Sequence, residues 1–518
     1  MKNLSQQLFK IKDLNLILAE SHEPHKKLKR ALTAFDLIVF GVGVTVGAGI
    51  FATVGTAAAG DALRLGAGPA LILSFALTAI ACAFAALCYA ELASLVPISG
   101  SAYTYSYATF GELIAWIIGW DLMLEYGVGS IAVSLSWSGY FQGFLRGIGI
   151  NLPAWATIDF RSAISGFEKA SSQICATTPL EQLSPGLQHA WNAVHSAPHI
   201  FGIPFVCNLP ASLVVLLLTI VLVIGIKESS RFNVIIVAVK LAVLGFFIFI
   251  GAKHVNPQNW VPFAPNGFAG IKAAAAIAFF AYIGFDVVST AAEETINPKR
   301  DVPIGILGSL LICTLIYMSV AAVFTGLIPF PALKAALTAE KAEPLAYAMR
   351  YAHLGWAAGI IGFGSIAAQL AVLLVLQMGQ SRIFFSMARD GLLPQSFAKV
   401  HPRFKTPYVT TILTGIIIAL FAAFTNIEEM VDLTNIGTLF AFALVCFGVI
   451  ILRVKEPHRH RTFKVPLNPV IPLLGVASCV FLMTALPAIT WIRFIVWLLI
   501  GLVVYFMYGI KHSLLHKN

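Results

Sequence analysis

Two apolar stretches, each long enough to cross a bilayer, are broken near their midpoints by small residues: Gly41-Val-Gly-Val-Thr-Val-Gly-Ala-Gly-Ile-Phe51 and Phe279-Phe-Ala-Tyr-Ile-Gly-Phe-Asp286. Unwinding a helix inside hydrocarbon strands N–H and C=O groups, which is tolerated only where protein, water or a ligand satisfies them. Interruptions at corresponding places in two halves of a chain point to a substrate site near the bilayer midplane. A ligand is the most economical partner for both sets of freed groups.

The composition excludes a water-soluble chain. Hydrophobic residues make up 58% of the sequence and charged residues 11%, with a mean hydropathy of +0.85, so the fold class is an all-α polytopic membrane protein. Apolar stretches able to cross a core of about 30 Å predict roughly twelve helices. They fall at 34–59, 68–96, 113–137, 209–225, 233–252, 270–291, 303–327, 357–385, 410–424, 433–452, 471–487 and 492–508. About 23 of the Lys and Arg residues fall on one side of this arrangement and about 10 on the other, and the excess marks the cytoplasm. Both termini are thereby expected to be cytoplasmic, in a cell (inner or plasma) membrane.

The predicted organisation is a cytoplasmic N-terminal tail (1–33), a ten-helix transmembrane core (34–452) with an extracytoplasmic loop (142–208), and a cytoplasmic loop (453–470). Two peripheral helices (471–508) and a cytoplasmic C-terminal tail (509–518) complete it. The first thirty residues lack an apolar core followed by a small-residue cleavage site, so they read as a retained tail. The net charge of +10 sits where anionic lipid headgroups hold cations, and no nucleic-acid partner is needed to account for it. Of seven cysteines, Cys175 and Cys207 alone fall in the long outer loop. A disulfide could persist there, or the two could be free thiols. The loop is expected to be irregular with a short helix near 187–195, and a second surface helix is expected within 329–349.

Charges inside the predicted spans cost several kcal/mol or more at the bilayer centre and mark function or pairing. Lys240 lies about ten residues from either end of its span, roughly 15 Å at 1.5 Å per residue, which is too deep to snorkel. It serves either in proton coupling or in a permanent ion pair. Glu125 is mid-span, with Asp121 four residues earlier on the same face. The two could form a proton path, or Asp121 could cap or pair near the interface and leave only Glu125 deep. Glu91 is near the inner end of its span and can reach cytoplasmic water. Asp286 follows the Gly284 break and can anchor freed N–H groups. Glu293 and Glu294 face Lys299 and Arg300 across a short turn, as an inner gate or a solvated cluster.

The breaks themselves suggest ligand chemistry. Freed N–H groups near Gly47, Ala48 and Gly49 suit a carboxylate, with Thr45 and Val46 of the same break also assigned to substrate binding, and freed carbonyls at Phe280, Ala281 and Ile283 suit an ammonium. An α-amino acid satisfies both, while its side chain is not specified by this pattern. No zinc-ligand spacing and no Gly-x-Ser-x-Gly elbow occurs, so neither an enzyme, a metal nor a cofactor is expected. A channel would need a symmetric filter or charged ring lining a continuous pore, and no such run is present.

Beyond these patterns, Gly43-Val-Thr-Val-Gly-Ala-Gly-Ile-Phe51, Cys88-Tyr-Ala-Glu-Leu92, Gly100-Ser-Ala-Tyr103, Ile226-Lys-Glu-Ser-Ser-Arg231, Phe279-Phe-Ala-Tyr-Ile-Gly-Phe-Asp286 and Ala388-Arg-Asp-Gly-Leu-Leu-Pro394 occur in order. Together they resemble the amino acid–polyamine–organocation superfamily, cationic amino acid transporter branch, over about 32–452. The resemblance implies a five-plus-five inverted-repeat (LeuT-like) core with broken helices one and six, plus two peripheral helices. It also implies a proton-coupled carrier in which Lys240 occupies the place of sodium in sodium-coupled relatives and Glu125 the acidic position of helix three. The span count is lower than in vertebrate members and closer to bacterial relatives that carry neutral amino acids, whereas the long outer loop departs from those relatives. The expected partners are an amino acid, protons and membrane lipids; the sequence leaves the oligomeric state open. An exchanger, a uniporter or a membrane amino acid sensor are the competing readings.

Overall fold

The computed structural model describes residues 8–11, 31–61, 63–95, 101–175, 179–225, 230–336 and 343–516. Most Lys residues of the N-terminal tail, Gly100 and the Ile226–Ser229 part of the fourth motif lie outside these. Among the described residues, eight helical segments are long and apolar enough to cross a membrane and three shorter apolar helices accompany them. We label the principal helices α1 (Ala34–Thr45), α2 (Leu71–Leu95), α3 (Glu112–Gly147), α4 (Leu209–Ile224), α5 (Ser230–Ala252) and α6 (Gly267–Ala278). They continue as α7 (Pro298–Leu327), α8 (Gly355–Arg389), α9 (Tyr408–Phe424), α10 (Ile427–Lys455), α11 (Val470–Met483) and α12 (Ala488–Val504).

Local chemistry sets the ends of these helices. The Thr33 side chain caps α1 while Asp36 reaches back to the Thr33 N–H, a reciprocal capping box that satisfies two orphan donors. Asn208 caps α4, accepting from Ala211 N–H and from the Ser138 hydroxyl of α3 at 2.6 Å. Asn426 caps α10, whose first turn carries Glu428 and Glu429 and whose last carries Arg453 and Lys455, the order that the helix dipole favours. Helix α3 runs ten residues past its expected end and is 36 residues long. The 142–208 segment that follows contains the expected helix (Pro185–Ser196), an unexpected one (Phe160–Cys175) and a two-residue strand pair, His199–Ile200 with Ile203–Pro204. Two short helices, Phe330–Ala336 and Pro344–Tyr351, stand where one was expected.

Helix α3 packs along α8 and α10 at the centre of the bundle, and α2 along α7. The peripheral α12 is fixed to α3 by tryptophans: Trp116 donates to the Gly501 carbonyl at 2.9 Å, and Trp120 donates to the Trp497 carbonyl while stacking on its ring at 4.7 Å.

Polar networks close both ends of the bundle. At one end Arg64, in the turn after the first broken segment, pairs with Asp61 and with Asp432 of α10, each at 2.6 Å, with all three side chains less than a tenth exposed. Glu343 pairs there with Arg350 at 2.9 Å. At the other end the segments around Lys10 and Leu515 converge. Lys10 donates to the Leu515 carbonyl and Glu112 N–H to the Lys10 carbonyl. The buried Glu112 carboxylate accepts from the hydroxyls of Tyr107, Tyr505 and Ser513.

Candidate functional site

The first break starts where α1 stops. Val46 adopts an extended conformation (φ −74°, ψ 93°), and its N–H closes the last turn on the Val42 carbonyl. The chain resumes as a π turn at Gly49–Thr53 and a short helix at Val54–Ala59. The second break follows α6 through a 3₁₀ turn at Phe279–Ala281 to Gly284, which is left-handed at φ 117°. It then continues as a 3₁₀ helix at Phe285–Glu294, ten residues long, where runs beyond three or four residues are uncommon. The two breaks meet backbone to backbone. A Cβ on Gly49 would fall 2.2 Å from Ala281 Cα, and one on Gly284 2.9 Å from Val44 Cγ1.

Side chains from three other helices take up carbonyls released by the first break. Lys240 Nζ of α5 donates to the Gly43 carbonyl at 2.6 Å, Tyr317 of α7 to Thr45 at 2.9 Å, and Tyr140 of α3 to Phe51 at 2.7 Å. Lys240 is 2% exposed, and no ion pair accompanies it among the described residues. Its side-chain nitrogen therefore rests on a main-chain carbonyl rather than on a carboxylate.

A cavity lies between the breaks and α3, α8 and α10. Six of the eight residues that sequence reasoning assigned to substrate line it: Thr45, Gly47, Ala48, Gly49, Phe280 and Ile283. Val46 and Ala281 do not. Val46 is turned wholly into the core, and Ala281 is occupied by its contact with Gly49. Glu125 lines the wall, one turn from Gly129 and two from Val133, and Tyr126 of α3, Val372 and Leu376 of α8 and Thr434 of α10 are among the other residues that line it. Gly129 and Val133 were legible as the i+4 and i+8 positions counted from Glu125; nothing in the sequence singles out Val372, Leu376 or Thr434.

The remaining charges separate. Asp286 is buried off the cavity, with backbone N–H groups at Asp286 and Val287 turned to its carboxyl and Oδ1 without a partner among the described residues. For Asp121 the sequence left open a proton path with Glu125 or a cap or pair near an interface, and the structure does not place it at an interface. It is fully buried, both oxygens lack partners among the described residues, and it lies within electrostatic reach of Glu125. Glu91 was expected to reach water. Instead it is 1% exposed and accepts from Arg453 at 2.9 and 2.5 Å and from Val465 N–H at 2.7 Å, with Arg461 3.2 Å away, because the loop after α10 folds back over it. Glu294, Lys299 and Arg300 are exposed, with no ion pair joining them among the described residues; the Glu293 side chain lies outside those residues. Cys175 is an exposed free thiol and Cys207 a buried one.

Comparisons with known proteins place relatives along nearly the whole chain. The sequence profile of a family described as amino acid permease matches residues 32–509. The chain is 47% identical over 503 residues to the branched-chain amino acid permease BcaP of Bacillus subtilis (strain 168), spanning 97% of both. It is 43% identical to a methylthioribose transporter of the same organism, over 98% of this chain and 99% of that one. It is 36% identical to the vacuolar cationic amino acid transporter 4 of Arabidopsis thaliana, over 85% of this chain and 66% of that one.

Proposed function

The chain belongs to the amino acid permease family of the amino acid–polyamine–organocation superfamily and is a transporter, not an enzyme; from that premise we propose that it carries an amino acid together with a proton by alternating access. In this reading twelve spans, α1 to α12 with their continuations, form a five-plus-five inverted core and two peripheral helices. Both termini are cytoplasmic, as the distribution of Lys and Arg favours. The carboxylate of the amino acid meets N–H groups at Gly47–Gly49, and the ammonium meets carbonyls at the second break, the helix-terminus chemistry of a discontinuous span.

The observation that carries the coupling step is the 2.6 Å bond from Lys240 to the Gly43 carbonyl. A protonated ammonium ties α5 to the last turn of α1 beside the substrate. Deprotonation removes the charge that holds that carbonyl and frees α1 to move, so proton occupancy and helix position become linked equilibria. Glu125, on the cavity wall, is the acceptor closest in role, with Asp121 and Asp286 within its field.

Purified protein reconstituted in vesicles tests this. Labelled amino acid uptake should rise with an inward proton gradient, and Lys240→Ala should abolish that dependence. Uptake that ignores the gradient in both proteins would leave an exchanger or uniporter. Binding without flux would leave a sensor. Methylthioribose, a neutral thiosugar with neither a carboxylate nor an ammonium, belongs in the panel because of the second relative.

A further inference from the structure

Four glycines line the cavity, Gly47, Gly49, Gly129 and Gly284, and they are glycine for different reasons. A Cβ on Gly47 would sit 2.8 Å from Val372 Cγ2, one on Gly49 2.2 Å from Ala281 Cα, and Gly284 is left-handed. Those three are demanded by packing or backbone. Gly129 is not. It lies inside α3, and a Cβ there would meet only Leu376 Cδ1 and Thr434 Cγ2, both at 3.7 Å, an ordinary van der Waals contact. Alanine would therefore fit the fold, and a helix interior prefers it to glycine. Both atoms that the Cβ would touch belong to residues of the cavity wall, so the space left by the missing methyl is cavity.

Apart from Glu125, Tyr126, Phe280 and Thr434, the side chains of that wall are mostly aliphatic. Val133 follows Gly129 by one turn, Val372 and Leu376 face it from α8, and Ile283 and Val287 close the side of the second break. If main-chain dipoles at the breaks hold the carboxylate and ammonium, the substrate side chain points at α3 and α8. Resting on the amino acid carrier reading above, the geometry points to Gly129 as the residue that sets the size limit for that side chain: the cavity admits aliphatic chains of valine, leucine and isoleucine size because position 129 has no Cβ.

The test compares reconstituted wild type, Gly129→Ala, Gly129→Val and a control, Gly245→Ala, whose added Cβ meets nothing within 4 Å. Labelled alanine uptake is inhibited by unlabelled valine, leucine or isoleucine. The expected result is a half-inhibitory leucine concentration raised about tenfold or more in Gly129→Ala, the lower end of what a misfit of one methyl or methylene produces. Gly129→Val should shift further, while KM for alanine changes by less than about threefold and the control matches wild type. The melting temperature of Gly129→Ala should not fall. Ligand-induced thermal shifts in detergent give the same ranking for a variant that binds without transporting. An unchanged leucine-to-alanine ratio in folded variants overturns the assignment and leaves the carrier reading intact. A uniform loss for every substrate together with a lowered melting temperature also overturns it, by giving position 129 a packing role. A wild type that takes up none of these amino acids overturns the carrier reading instead.

Discussion

At the residue scale, buried hydrogen bonds to the broken backbone are the contacts with most at stake. The Thr45 carbonyl is bonded by Tyr317 at 2.9 Å in a site where both residues are buried. Tyr317→Phe removes the donor and keeps the ring, so it should cost about 1–3 kcal/mol, the price of an unpaired buried acceptor. The readout is the thermal unfolding of the purified protein, and an unshifted midpoint would show that the carbonyl finds another donor. Glu91 is a second case. Replacing it with Gln leaves Arg453 and Arg461 without their carboxylate, which should destabilise by about 3–5 kcal/mol as for a broken buried pair, less whatever water recovers at the 21% exposed Arg453. Lys240 and Glu125 could be located from the sequence because depth within a span is legible there. The partners of Glu91 could not, since Arg453 lies 362 residues away and nothing local encodes that meeting.

At the element scale, the second broken segment is the least ordinary part of the chain. Its left-handed pivot at Gly284 should not tolerate Gly284→Ala. The added Cβ costs about 1–2 kcal/mol in that conformation and presses on Val44, so uptake should fall sharply while Gly245→Ala, which is unobstructed, transports normally. The apolar runs revealed where the helices lie, because hydropathy and length suffice for a span. The ten-residue 3₁₀ stretch at Phe285–Glu294 was not legible, since its sequence has no feature that separates i+3 from i+4 bonding. The Phe160–Cys175 helix was missed for a different reason: its Ser-rich, weakly apolar sequence looks like loop until it packs against Pro185–Ser196. That packed pair also carries a pH signature. Burial, with Arg146 nearby, lowers the pKa of His189 from its ordinary 6.5, and its Nε2 lies 3.1 Å from the Thr157 hydroxyl. With the folded pKa depressed, the unfolded segment binds the proton more readily. Its stability is thus full above about pH 6.5 and declines as the pH falls toward the folded value. Hydrogen exchange in Pro185–Ser196 should speed up between pH 7.5 and 5.5 relative to intrinsic rates, and His189→Gln should flatten that response.

At the scale of the whole molecule, the cavity sits between two polar closures that differ in construction. One is the Arg64 pairing that joins the turn after the first broken segment to the start of α10. Arg64→Gln leaves Asp61 and Asp432 unpaired in a site less than a tenth exposed, so the melting temperature should drop by the equivalent of about 3–5 kcal/mol; an unchanged value would mean that water already shares those carboxylates. The broad architecture followed from composition because a bilayer permits few solutions. These closures join residues hundreds of positions apart, and only folding brings them into view. The second closure gathers Lys10, Glu112, Tyr505, Ser513 and Leu515 at one corner. Fluorophores grafted at positions 9 and 514 would thus begin close enough for efficient energy transfer, and any stroke that swings α3 away from α12 would dim that signal in real time.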